Sequence, residues 1–180
     1  MHSGANKRMS VRSRWVRPPA ELRRQLDGNE RVLALADTAD AVVAATNLGL
    51  LLPHFVDGVP SWRRIGWDRI VKATWTETGL RLVEGELDEV GVVTDLPPVA
   101  VTLVVPRNLP NVVRTRVETS IARSEQVRVP GGTARLIARR IPGVDGVTWT
   151  ARLDTGTPEA PSARAALVHY LTQARTAAAE

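Results

Sequence analysis

RVLALADTADAVVAATNLGLLLPH (residues 31–54), followed by RRIGWDRIVKATW (63–75) and GLRLV (79–83), decides the fold class. The apolar runs have strand length and are punctuated by Asp, Asn, Gly and Pro, the pattern of an antiparallel meander. A first strand is expected at 32–36, apolar on both faces and therefore central, and a second at 41–46. Asp37-Thr38-Ala39-Asp40 forms the turn between them. Asn47-Leu48-Gly49 reads as a bulge, residues 50–52 as a third strand, Pro53 as its end and 54–61 as a loop. Ile65 and Trp67 then share one side of a fourth strand, Ala73 and Trp75 one side of a fifth, and Leu80 and Leu82 one side of a sixth.

Working outward, residues 84–89 read as an acidic connection and 90–93 as a short edge strand. Strict alternation of Val99, Val101, Leu103 and Val105 predicts a strand over 99–105. Asn108 suits an N-cap and Pro110 a first helical turn. Leu109, Val113, Val117 and Ile121 recur four apart, predicting a helix to about residue 125 that keeps Arg114, Arg116, Glu118 and Arg123 outside. After Pro130-Gly131-Gly132, segments 133–141 and 147–153 make a hairpin lined by Val147, Trp149, Ala151 and Leu153. A last helix over 163–178 turns Leu167, Val168, Leu171 and Ala174 inward. Upstream, 20–26 suits one or two helical turns with Leu22 and Leu26 on one face.

About seven short antiparallel strands closed by an amphipathic helix is the element order of a pleckstrin-homology-like barrel. VLALAD, VVAATNLGLLL, RRIGWDRIVKATW and GLRLV resemble the strands of small bacterial PH-like proteins over roughly residues 30–125. The chain as a whole is similar to an actinobacterial family, a likeness that implies no activity. The resemblance implies an α+β fold: a PH-like antiparallel β-barrel capped by a helix, plus a C-terminal β-hairpin and helix. Three regions result: a basic, largely disordered N-terminal segment with a short helix (1–29), the barrel and its helix (30–127), and a hairpin-helix extension packed on the barrel (128–180). Lipid-binding PH domains place basic residues at the first strand turn, whereas this chain has Asp37 and Asp40 there, so an inositol phosphate role is not carried over.

Composition bounds the chemistry. A chain of 180 residues buries enough surface to fold without a cofactor. Cysteine is absent, which removes disulfides, thiolate metal sites and thiol catalysis. No apolar run has the length of a membrane span, and the N-terminus has no secretory apolar stretch, so a cytoplasmic protein is expected, with peripheral attachment to the inner membrane face as a variant. Only Lys7 and Lys72 are lysine among 24 basic residues, a bias that points to a GC-rich genome. Eight of the basic residues lie in positions 1–31 against Glu21, Asp27 and Glu30, so the whole net charge of +5 sits in the leading segment.

His2, His54 and His169 have no metal-ligand spacing, and no P-loop, dinucleotide fingerprint or nucleophile elbow is present. No catalytic, cofactor or metal residue is therefore assigned. Glu84, Glu86, Asp88 and Glu89 lack the Gly and Asn of a cation loop and read as a solvated turn. Trp67, Trp75 and Trp149 read as core. Trp15 and Trp62 stand beside arginines, which suits a partner surface, with a lid over the barrel end as the alternative for Trp62. The candidate partner-binding set is Arg12, Arg14, Trp15, Arg17, Arg23, Arg24, Trp62, Arg63 and Arg64. Docking of a protein partner is the first reading. Nucleic-acid or ribosome association through the arginine segment, attachment to anionic lipid and a merely solubilising tail are the others. The tail has neither a recognition helix nor an amphipathic face to favour nucleic acid or lipid.

Overall fold

The computed structural model describes residues 17–178. Arg12, Arg14, Trp15 and the expected disorder of residues 1–14 lie outside them. The described residues form an α+β fold, with three helices and eleven strands in three antiparallel sheets that do not close into one barrel.

The first sheet runs in sequence order: β1 (Val32–Asp37), β2 (Val42–Thr46), β3 (Gly49–Val56) and β4 (Val59–Gly66). Its strands are apolar on both faces because both faces are covered. Ala36, Val43, Ala45, Leu50, Leu52 and Ile65 enter the main core. On the other face Leu35, Ala44, Leu51 and Trp62 pack on Leu22 of the short helix α1 (Ala20–Gln25). Two-sided apolarity thus did not mean a central position: β1 is at the sheet edge, and α1 supplies its second cover.

Pro53 does not end β3. The β3–β4 hairpin continues to a two-residue turn, Asp57-Gly58, between the paired Val56 and Val59. Both turn residues have positive φ, 50° and 78°, the type I′ geometry that Asp-Gly favours. Proline is tolerated because β2 pairs with β3 only at Leu50 and Leu51, so no ladder partner awaits a donor at position 53. Opposite it, the Trp62 N–H donates outward to Gln25 Oε1 at 3.0 Å, which satisfies this point of the β4 edge.

After a 3-10 turn at Trp67–Arg69, the second sheet forms from β5 (Ile70–Thr76), β6 (Gly79–Leu87), β7 (Val93–Asp95) and β8 (Val99–Thr102). The strand β6 pairs with β5 along one side and with β8 and β7 in succession along the other. Trp67 lies in the turn rather than on a strand, yet it is buried, its Nε1 donating to Thr46 O at 3.1 Å. Residues 84–87 belong to β6 rather than to a free acidic loop. The helix α2 (Leu109–Ser120) sends Leu109 and Val113 into the core between the two sheets. Asn108 occupies the N-cap position, but its Oδ1 accepts from Asn111 Nδ2 instead of capping a backbone donor.

The helix stops at Ser120, five residues short of expectation. Ile121–Val129 is a strand, β9, which pairs with β10 (Gly132–Arg139), itself paired with β11 (Thr148–Leu153). The C-terminal unit is accordingly a three-stranded sheet under α3 (Pro161–Ala177), not a hairpin alone, and the 127/128 division falls inside β9. Leu167, Leu171 and Ala163 of α3 pack on Ala134, Leu136, Ala138 and Ala151. Val147, expected inward, is 44% exposed ahead of β11.

Candidate functional site

Of the residues expected to meet a partner, Trp62 is buried, Arg64 is half-buried and Arg63 is exposed. Trp62 is only 8% exposed and donates from Nε1 to Val42 O at 2.7 Å, so its indole is a core group. Arg63 donates to Glu84 Oε2 at 2.6 Å across to β6. Arg64 binds Glu30 with two nitrogens, Nε to Oε1 at 3.0 Å and Nη2 to Oε2, and reaches Asp27 Oδ2 at 2.8 Å. Glu30 in turn accepts from Thr46 Oγ1 at 2.7 Å. Arg64 thus braces the segment after α1 against β4, Thr46 ties it to β2, and Arg63 links β4 to β6. Arg17, Arg23 and Arg24 are exposed, as expected of a basic surface. At the first strand turn, Asp37 is paired with Arg107 at 2.6 Å, whereas Asp40 is exposed.

Two surface features lie elsewhere. The first is the tip of the β3–β4 hairpin, where Phe55, Val56 and Val59 are 50%, 54% and 59% exposed around the Asp57-Gly58 turn. Asp-Gly between two apolar runs is a legible hairpin signal, which the strand end expected at Pro53 masks.

The second is a groove of about 400 Å³ between the third sheet and the C-terminal end of α3. On the face that α3 covers, β9 presents Arg123, Glu125 and Val127, registered against Ala138, Leu136 and Ala134 of β10. Trp149 of β11 sits opposite Ala138 on its other side. Charged side chains therefore occupy two positions of a face that is otherwise apolar. Arg123 and Glu125 form an exposed ion pair, and the Arg123 guanidinium lies 5.8 Å from the Trp149 ring centroid. Tyr170, Gln173 and Ala174 of α3 close the groove. Trp149 is 7% exposed, and its Nε1 is the buried side-chain polar atom without a hydrogen-bond partner among the described residues. Arg175 of α3 donates to the Trp149 carbonyl at 2.9 Å. Sequence reading placed Arg123 on the solvent side of a helix; the alternation of Arg123, Glu125, Val127 and Val129 before Pro-Gly-Gly was the strand signal that would have put it here.

His169 is exposed on α3, its ring edge-on to Tyr170 at 6.0 Å. Asp88 is not part of a cation loop: its Oδ1 accepts from the N–H groups of Val90, Gly91 and Val92, and its Oδ2 from Arg164. Among the described residues no group of three His, Asp or Glu side chains is placed to hold a metal ion, and no helix is long and apolar enough to cross a membrane. No family model, curated protein or solved structure matches the chain.

Proposed function

We propose that this chain is a noncatalytic cytoplasmic interaction module that docks a protein partner through its N-terminal β unit, an open variant of the PH-like arrangement. The meander β1–β6 with β8, followed by a helix that plugs the space between two sheets, supports the PH-like reading. The observation that carries docking is the hairpin tip. Three large apolar side chains that stand at least half exposed on a two-residue turn cost solvation free energy when free, and recover it when a partner covers them. The neighbouring helix α1, whose Leu22 packs on Trp62 of β4, presents Arg23 and Arg24 to solvent. The complementary partner is therefore an apolar socket with an acidic rim.

The test compares full-length protein with the Phe55→Ser/Val59→Ser double variant in nuclease-treated pull-downs, with cross-linking to locate the contact. A protein partner cross-linked near the hairpin and lost with the double variant supports docking. Nucleic acid that co-purifies from untreated extract equally with both proteins would favour the arginine segment instead. Hairpin-dependent retention on vesicles containing anionic lipid, without a protein partner, would replace docking by membrane attachment.

A further inference from the structure

We infer that the outer edge of β8 is a homodimer interface, at which two copies of this chain pair their β8 strands antiparallel across a two-fold axis. The edge belongs to the second sheet and does not depend on docking at the hairpin tip of the first. The register of β8 on β6 decides which backbone groups are free. Val99 faces Leu82 and Val101 faces Leu80, and in the same register the Leu103 N–H donates to Thr78 O at 2.9 Å. Bonded positions alternate in an antiparallel ladder, so Val99, Val101 and Leu103 turn their backbone groups to β6, while Ala100 and Thr102 turn theirs away. Beyond these, the outward N–H of Val104 is taken by Asp37 O at 2.7 Å, and Pro98 has no N–H. Among the described residues no strand pairs with β8 on that side, and Ala100 and Thr102 are exposed.

A second copy supplies the complement. With the axis at Ala100, that residue exchanges two bonds with its counterpart, and the Thr102 N–H of each copy meets the Pro98 carbonyl of the other. Every outward donor is then satisfied, and the N–H that Pro98 lacks leaves only the Thr102 carbonyl to water. Between the bonded pairs Val99, 39% exposed, comes opposite the partner's Val101, the position at which cross-strand side chains approach most closely. Charge permits the approach. No side chain from Leu96 to Pro106 is charged, whereas β5, the opposite edge of the same sheet, presents Lys72 to solvent, a common guard against edge pairing. Arg81, beside Ala100 on β6, stands three strand spacings from its counterpart, about 14 Å, beyond the screening length of about 8 Å at physiological salt. A lone peptide strand added here would present a new open edge, while a second copy closes both edges at once.

Sedimentation equilibrium and amide hydrogen exchange on the full-length protein, between about 10 µM and about 1 mM, supply the measurement. Backbone bonds at two residues per copy and a small apolar contact make a weak dimer, half-formed near about 100 µM. The Ala100 and Thr102 amides should exchange several-fold more slowly at the higher concentration, and that of Val101, already bonded to β6, should not change. Ala100→Pro removes a donor on the solvent side of an edge strand, where proline leaves the ladder to β6 intact, and should weaken association about tenfold or more. Ala100→Glu keeps that donor and stands opposite Arg81 within one copy, but sets two carboxylates against each other at the axis, and should also weaken it. Phe55→Ser/Val59→Ser should leave association unchanged. A monomer at about 1 mM, a dimer whose Ala100 and Thr102 amides are unprotected, one that Ala100→Pro leaves intact, or one lost with the hairpin substitutions would each overturn the assignment.

Discussion

Arg64 and Glu30, thirty-four residues apart in the chain, form a two-nitrogen ion pair in which the Glu30 side chain has no exposed surface while the Arg64 side chain is 31% exposed. The pair joins the entrance of β1 to the middle of β4 and is reinforced by Thr46 Oγ1 on Glu30 Oε1. Stripping the partner from a buried charge costs more than the pair itself contributes, because the orphaned carboxylate remains out of water.

Arg64→Ala should therefore destabilise the protein by about 3 kcal/mol. Arg64→Ala combined with Glu30→Gln should recover part of that loss, since no charge is then left stranded. Urea unfolding of the single and double variants measures both. A loss below about 0.5 kcal/mol in Arg64→Ala would show that water reaches Glu30.

Gly49 is required by closeness rather than by its backbone angles. A Cβ there would overlap the carbonyl oxygen of Ile65 and stand 3.0 Å from its carbon, and that carbonyl belongs to the paired strand β4. Gly49→Ala should cost about 1–3 kcal/mol, the range for overpacking a site that cannot yield. Thermal unfolding is the check, with Gly28→Ala as the control, because nothing lies within 4 Å of a Cβ at position 28.

Gly58→Ala tests the hairpin that carries the proposed docking tip. Gly58 has φ of 78°, and an alanine held there costs about 1 kcal/mol or slightly more. The substitution should lower stability by that amount and raise amide exchange at Val56 and Val59, leaving the indole signals of the C-terminal groove unmoved.

Acid sensitivity is expected at Asp88 and Asp154. Partial burial works to raise its pKa, but the Arg164 guanidinium and the N–H groups of Val92, Gly91 and Val90 more than offset this and hold it below its ordinary value. A carboxylate whose pKa is lower folded than unfolded stabilises the fold above the unfolded pKa, near about 4, and loses that contribution as pH falls through the folded value. Asp88→Asn should therefore cost about 1 kcal/mol at neutral pH, a figure reduced by the 32% exposure of the side chain, with the gap to wild type closing below about pH 4. Asp154 behaves alike: the Gln126 amide lowers its pKa against burial, aided by Thr133 and Arg135. Denaturation curves at neutral and acidic pH for Asp88→Asn and Asp154→Asn give the measurement.

The antiparallel α+β class and most strand positions could be read from residues alone, because period-two patterning and turn residues are local properties. Three errors share a cause in long-range structure. The both-faced apolar character of VLALAD reflected a helix from outside the sheet, Leu22 covering Leu35, which no pattern within the strand contains. Pro53 was harmless because the neighbouring ladder had already ended, a fact about β2 rather than about proline. Ile121 fits a helix by its spacing from Val117 and a strand by the alternation of Arg123, Glu125 and Val127 after it, and pairing with β10 decided for the strand. The site was less legible. Trp62-Arg63-Arg64 has the composition of a recognition patch, but Val42, Glu84 and Glu30 claim all three side chains from distant segments. The groove was invisible, since Arg123 and Trp149 meet only after β9, β10 and β11 are in register.

The segment from Asp88 to Asp95 reaches the C-terminal unit through Arg164 at one end and through paired bonds from Arg152 to Asp95, 2.6 and 2.5 Å, at the other. Between them Val92 bridges to Ala151. The chain itself makes a separate junction where α2 passes into β9. A body pinned at one place can swivel, but one pinned at two separated places cannot, so both halves of this molecule should tumble in solution with a single correlation time.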